Sequence, residues 1–129
     1  MKTKYVVALS VAAGIVIGAV AVQTLHAQAQ PPGFIVAEID VSNVEGYTKE
    51  FLPIAGKALD AGGAHFLVRG GKNEAIDGAA PPKRVIISQF ESFEKAKAAY
   101  TSPAYMEARK IGDKYAKFRI FAVEGVAPK

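Results

Sequence analysis

One histidine and one arginine stand four residues apart in Gly62-Gly-Ala-His-Phe-Leu-Val-Arg-Gly-Gly71, a short strand-like run held between two glycine pairs. Side chains on a regular strand alternate between faces, so His65 and Arg69 are expected on the same one. A neutral imidazole beside a fixed guanidinium can bind and orient a small carboxylate or enol, with the imidazole as acid or base. Glu38 and Ser88, each in another strand-like segment, are assigned to that face and complete a polar cluster. Tyr47, early in a helical pattern, or Tyr105, in a later one, is a candidate for the mouth of the pocket, the alternative being an aromatic at the rim of the core. The structural alternative pairs Arg69 with an acidic residue across a dimer and leaves His65 hydrogen-bonded at a strand end.

Other chemistries find little to work with. The 129-residue chain has no cysteine, which excludes disulfides and thiolate metal sites. Its two histidines are His26 and His65, and neither belongs to a His/Asp/Glu cluster with ligand spacing, so no metal is expected. Haem through His65 lacks any accompanying motif. Gly70-Gly71-Lys72 lacks the spacing of a phosphate loop, and no serine stands in a nucleophile elbow. No cofactor is therefore expected. Lys83-Arg84 and Arg109-Lys110 are isolated basic pairs without interleaved aromatics; they read as solvated charges, and no nucleic-acid partner is expected.

Residues 1–29 read as an export signal. Lys2 and Lys4 precede an uncharged run, Tyr5 to Val22, and Ala27-Gln28-Ala29 fits the small-x-small cleavage rule. An uncleaved anchor is the alternative, because the run approaches the roughly 18 to 20 apolar residues that span a bilayer. No twin arginine precedes it, so the general secretory route is expected, with a periplasmic or secreted product that has no membrane contact once processed. Processing removes Lys2 and Lys4 and leaves 14 Lys and Arg against 12 Asp and Glu, so the exported form is nearly balanced.

The elements that must position the candidate residues follow from pattern. Residues 30–33 form a Pro-rich linker, and 34–41 has strand composition with both faces mostly apolar. Ser42 and Glu45 stand at capping-box spacing, with Asn43 as the alternative cap. A helix to about Ala61 buries Tyr47, Phe51, Ile54, Ala55, Ala58 and Leu59, and Pro53 is expected to bend it or end its first half. Strands follow at 64–69 and 83–90, separated by an exposed connection over 70–82. Ser92 caps one helix, Ser102-Pro103 restarts another with Tyr105, Ala108, Ile111 and Tyr115 on its buried side, and 118–124 is the last strand. Residues 127–129 are a tail.

The order β-α-β-β-α-α-β fits an α+β, ferredoxin-like sandwich over residues 34–126, four antiparallel strands with helices on one side. Alternation places Ile35, Ala37, Ile39, Phe66, Val68, Val85, Ile87, Ile120 and Ala122 toward the helices. The other face then holds Val36, Glu38, His65, Leu67, Arg69, Ile86, Ser88, Phe90, Phe121 and Val123. Each large apolar residue left in water there would forfeit about 1.5 to 3 kcal/mol, so a second copy packed face to face is expected. The competing cover is the 70–82 loop or the linker, neither of which has much apolar surface to offer.

Asn43-Val44-Glu45-Gly46-Tyr47, the Gly62–Gly71 block, Pro81-Pro82-Lys83-Arg84-Val85-Ile86, Tyr100-Thr-Ser-Pro-Ala-Tyr105 and the late Val123-Glu124-Gly125 resemble the domain of unknown function 1330 family over about Phe34 to Val126. The resemblance implies a dimeric α/β barrel, two ferredoxin-like sheets facing each other, and no particular reaction. The expectation is thus an exported homodimer that binds a small organic ligand near Arg69 and His65. The alternatives are a structural or interaction module without activity, and a cofactor-independent oxygenase or isomerase.

Overall fold

A computed structural model describes residues 30–129, so the expected export signal, 1–29, lies outside the described residues. Pro31–Val126 form one compact unit. Its strands are β1 (Gly33–Val41), β2 (His65–Arg69), β3 (Arg84–Phe90) and β4 (Ala116–Glu124), antiparallel in the order β2-β3-β1-β4. This is the expected ferredoxin-like α+β arrangement, with the first strand central. Gly33, expected in the linker, already pairs with Phe90 and Glu124.

The first helical segment, α1, runs through three consecutive pieces, Val44–Gly46, a π-helical Tyr47–Phe51, and Leu52–Ala61. Asn43 caps it, its side-chain oxygen accepting the Gly46 N–H at 3.0 Å. Ser42, the expected cap, instead donates its hydroxyl to the Tyr115 carbonyl at 2.9 Å. Pro53 explains the wide turn: proline has no N–H to donate and crowds the carbonyl four residues back. The chain does not break but opens upstream, where the Leu52 N–H reaches the Tyr47 carbonyl, five residues away. Tyr47, Phe51, Ala55, Ala58 and Leu59 are buried as expected, whereas Ile54 is turned out to solvent.

Two further helices, α2 (Phe93–Tyr100) and α3 (Pro103–Gly112), begin at the expected serines. Ser92 Oγ accepts the Lys95 N–H and Ser102 Oγ the Tyr105 N–H, both at 3.2 Å. Ala96 and Ala108, fully buried, let the helices approach the sheet closely. Between the layers, Tyr47 packs on Phe51, Phe51 on Phe118, and Tyr100 on Tyr105, with ring centroids 5.2, 5.3 and 4.8 Å apart.

Register overturns part of the expected face assignment. Directly opposed residues share a face, and the helix face of β1, Ile35, Ala37 and Ile39, stands opposite Ser88, Ile86 and Arg84. Ile86, Ser88 and Phe90 are accordingly buried under the helices, while Val85 and Ile87 lie on the open face, the reverse of the expectation. A one-residue error in parity moves every side chain of a strand to the other face. Strand β2 carries a second reversal. Phe66 opposes Ser88 but Val68 opposes Ile87, so Leu67 is an extra residue, a β-bulge. Beyond it Val68 faces outward and Arg69, opposite Ile86, turns to the helix side.

The open face holds Val36, Val85 and Ile87 together with Val68, Phe121 and Val123, the last three 37%, 39% and 44% exposed. Residues 71–80 of the β2–β3 connection are exposed and Ile76 wholly so, which excludes this loop as a cover for the sheet. Among the described residues no helix is long and apolar enough to cross a membrane.

Candidate functional site

A cavity of about 190 Å³ opens between α1 and the β2–β3 side of the sheet. The π-helical turn contributes Tyr47 and Phe51 and the following turn Leu52; β2 contributes Phe66 and Arg69; β3 contributes Arg84 and Ile86; and α3 contributes Tyr105. The walls are mainly apolar, and the polar groups entering them are mostly hydrogen-bond donors. Tyr47 is 3% exposed and its hydroxyl has no hydrogen-bond partner among the described residues. Arg84 Nε is buried and equally unpartnered. The Arg84 guanidinium carbon stands 5.8 Å from the Tyr47 ring centroid, and the guanidinium approaches the phenol oxygen but outside ordinary hydrogen-bond geometry.

Arg69 stacks over Phe66, its guanidinium carbon 3.9 Å from the ring centroid. Neither Arg69 nor Arg84 belongs to an ion pair among the described residues, whereas Arg109 is paired with Asp113 and Arg119 with Glu38. Two positive charges thus border one small apolar space, with Asp60 on its lining but in no ion pair. Leaving a buried polar donor unmatched costs about 1 to 3 kcal/mol, so the arrangement favours an acceptor entering from outside.

Gly70 makes room for Arg84. It has φ +69°, and a Cβ built there would lie 2.2 Å from Arg84 Nη1. Glycine alone takes this backbone at no steric cost. Gly70→Ala is expected to lose about 1 to 2 kcal/mol from the left-handed backbone and to push the Arg84 guanidinium aside. Urea unfolding of the purified variant measures the first effect, and an unchanged midpoint would contradict it.

Burial raises the pKa of Tyr47, opposed by the neighbouring Arg84 charge and by the approach of that guanidinium to the phenol oxygen. Burial likewise raises Tyr105, aided by Tyr100 and opposed by Arg109, and raises Tyr100, whose hydrogen bond to Ser88 opposes the shift. All three phenols are therefore neutral near pH 7. Because the folded values exceed the unfolded one near 10, their contribution is fully present below about pH 10 and is lost as pH rises through the folded values. Thermal midpoints should fall above pH 10 together with a rise in tyrosinate absorbance; a midpoint flat to the end of the alkaline range would contradict the assignment.

The five residues singled out in the sequence do not form one cluster. Tyr47 and Arg69 meet at the cavity. His65 and Glu38 lie on the opposite, open face, His65 exposed and Glu38 accepting from Arg119 at 3.2 Å. Ser88 is fully buried, 3.3 Å from the Tyr100 hydroxyl. The expected pairing of His65 with Arg69 fails because the bulge at Leu67 shifts the alternation between them. Arg84, read as a solvated charge, is the residue missed, whereas Tyr105, weighed beside Tyr47 for the pocket mouth, does line the cavity. Two wider grooves, about 530 and 380 Å³, lie elsewhere. The larger is walled by Ala58, Ala61, Ala98 and Ala99, and its charged residues Glu91 and Lys95 neutralise each other. Among the described residues no group of three or more His, Asp or Glu can hold a metal ion.

Solved structures share this fold. A Rhodopseudomonas palustris protein of unknown function aligns at 15% identity with a TM-score of 0.61, covering 77% of this chain and 85% of that one. A methylated form of that protein aligns at 14% identity and 0.57, over 77% and 84%. A cofactor-independent oxygenase from Streptomyces nogalater aligns at 6% identity and 0.49, over 72% and 91%, too slight a likeness to bring its chemistry here. No curated protein matches the chain. The family model described as Domain of unknown function (DUF1330) matches residues 32–126, nearly all of the compact unit, and carries no reaction with it. With its strand order, helix caps and matched span in agreement, the chain belongs to that family.

Proposed function

We propose that the protein is an exported, homodimeric α/β barrel that binds a small organic molecule in the cavity beneath α1, with Tyr47 and Arg84 as its buried polar contacts and Arg69 at its rim. The carrying observation is that the Tyr47 hydroxyl and Arg84 Nε are both buried and unpartnered at one apolar cavity. Export rests on the charge, apolar run and cleavage triplet of residues 1–29. Dimerisation rests on the apolar open face, which a second copy would remove from water.

The competing reading is an interaction module in which Arg84 and Tyr47 only pack the core. The oxygenase or isomerase reading would use the same cavity and adds a reaction to binding. Native mass spectrometry of the processed protein, purified from the compartment to which it is exported, separates these. The expected spectrum shows twice the subunit mass with a small bound molecule, absent from Arg84→Gln. A bare subunit pair from both proteins, with nothing released on unfolding, would favour the interaction module.

A further inference from the structure

The cavity's chemistry narrows the class of molecule it takes, given the reading that it binds one. We infer that the ligand is a short-chain monocarboxylate, its carboxylate on the Arg84 guanidinium and the Tyr47 hydroxyl and its hydrocarbon part against Phe51, Leu52 and Phe66. Arginine offers five N–H donors in a planar fork and accepts nothing, and a neutral phenol beside it can donate one more hydrogen bond. A carboxylate has two oxygens in the geometry that fork receives, and it neutralises the half-buried Arg84 charge. A neutral amide of the same shape would turn N–H donors toward a guanidinium and leave donors facing donors.

Charge and size limit the alternatives. Arg84 and Arg69, neither in an ion pair among the described residues, outnumber the one lining carboxylate, Asp60, so the space is electropositive. A guanidinium fork receives phosphate as well as carboxylate, so the apolar walls, Phe51, Leu52 and Phe66 among them, are what favour a ligand with a hydrocarbon part. At about 190 Å³ the cavity is comparable with cavities of about 150 Å³ that hold a benzene ring, which suits an acid with a few carbons.

Calorimetric titration of the intact processed protein with acetate, butyrate, isovalerate and benzoate, each beside its primary amide, and with inorganic phosphate, tests this. Butyrate or isovalerate should bind, and its amide at least about ten-fold more weakly, a difference of about 1.4 kcal/mol. Arg84→Gln should erase the advantage of acid over amide, and Arg84→Lys should keep part of it. Tyr47→Phe removes a single oxygen and should weaken the acids several-fold with its melting curve preserved, which keeps the test decisive if Arg84→Gln does not fold. Amides binding as tightly as acids, or phosphate binding in preference to both, would overturn the carboxylate assignment and leave the cavity reading standing. Acid binding unchanged in both Arg84→Gln and Tyr47→Phe would overturn the placement. Binding of none of these probes would overturn the cavity reading together with this one.

Discussion

Ile87→Asp is expected to give a folded monomer. Ile87 lies on the open face of β3, opposite Val36 on one side and Val68 on the other, so it stands inside the apolar patch that a second copy would cover. In a two-fold dimer the substitution acts twice, and each unpaired carboxylate buried at the interface costs several kcal/mol after relaxation. A loss of about 4 kcal/mol would weaken association about a thousand-fold. The single subunit keeps its helix-side core, because Ile87 is no part of it. Light scattering across a concentration series should report one subunit mass for Ile87→Asp and two for the parent. Ile54→Asp, on the outer surface of α1, should stay paired. A two-subunit mass for Ile87→Asp would remove this sheet face from the interface.

Phe51→Ala should produce the largest loss of stability. Phe51 is buried, packs against Tyr47 and, edge to face, against Phe118, and fills the space that the absent side chain of Gly112 leaves free. Truncating a buried phenylalanine costs about 3 to 5 kcal/mol, against a typical domain stability of about 5 to 15 kcal/mol. For a domain of this size each kcal/mol moves the melting point by roughly 4 to 8 °C, so a fall of at least about 12 °C is expected in calorimetry. Because Phe51 also lines the cavity, the lost ring enlarges it, and the variant should recover stability with longer acids more than the parent does. A melting point within a few degrees of the parent would show that this wall collapses without cost.

The element order was legible because the local signals agree with one another. Ser92 and Ser102 cap the helices they precede, the glycines at 62 and 63 end α1, and the β-branched and aromatic runs form strands. Which way those strands face was only partly legible. Val85-Ile86-Ile87 is apolar throughout, so alternation cannot assign its parity, and Ser88 suggests a solvent face while the fold buries it against Tyr100. The bulge at Leu67 has no glycine to announce it, yet it alone separates His65 from Arg69.

The same two features hid the site. Arg84 follows Lys83 and looks like half of a solvated pair, but on the buried parity of β3 it points beneath α1 beside Tyr47. Placing Ile86 and Phe90 in the core would have exposed it, since Arg84 shares their face. Asn43 displaced Ser42 as the cap, and Ile54 turned outward where the π-helical turn shifts the phase of the helix, both changes of one residue that periodicity does not resolve.

Crystals of the protein grown with a bromine-labelled short-chain carboxylate, measured at the bromine absorption edge, test the site most directly. An anomalous peak inside the cavity, with the acid's oxygens on Arg84 and Tyr47, is the predicted result. Bromine confined to the outer surface, at a ligand concentration where binding is saturated in solution, would contradict it.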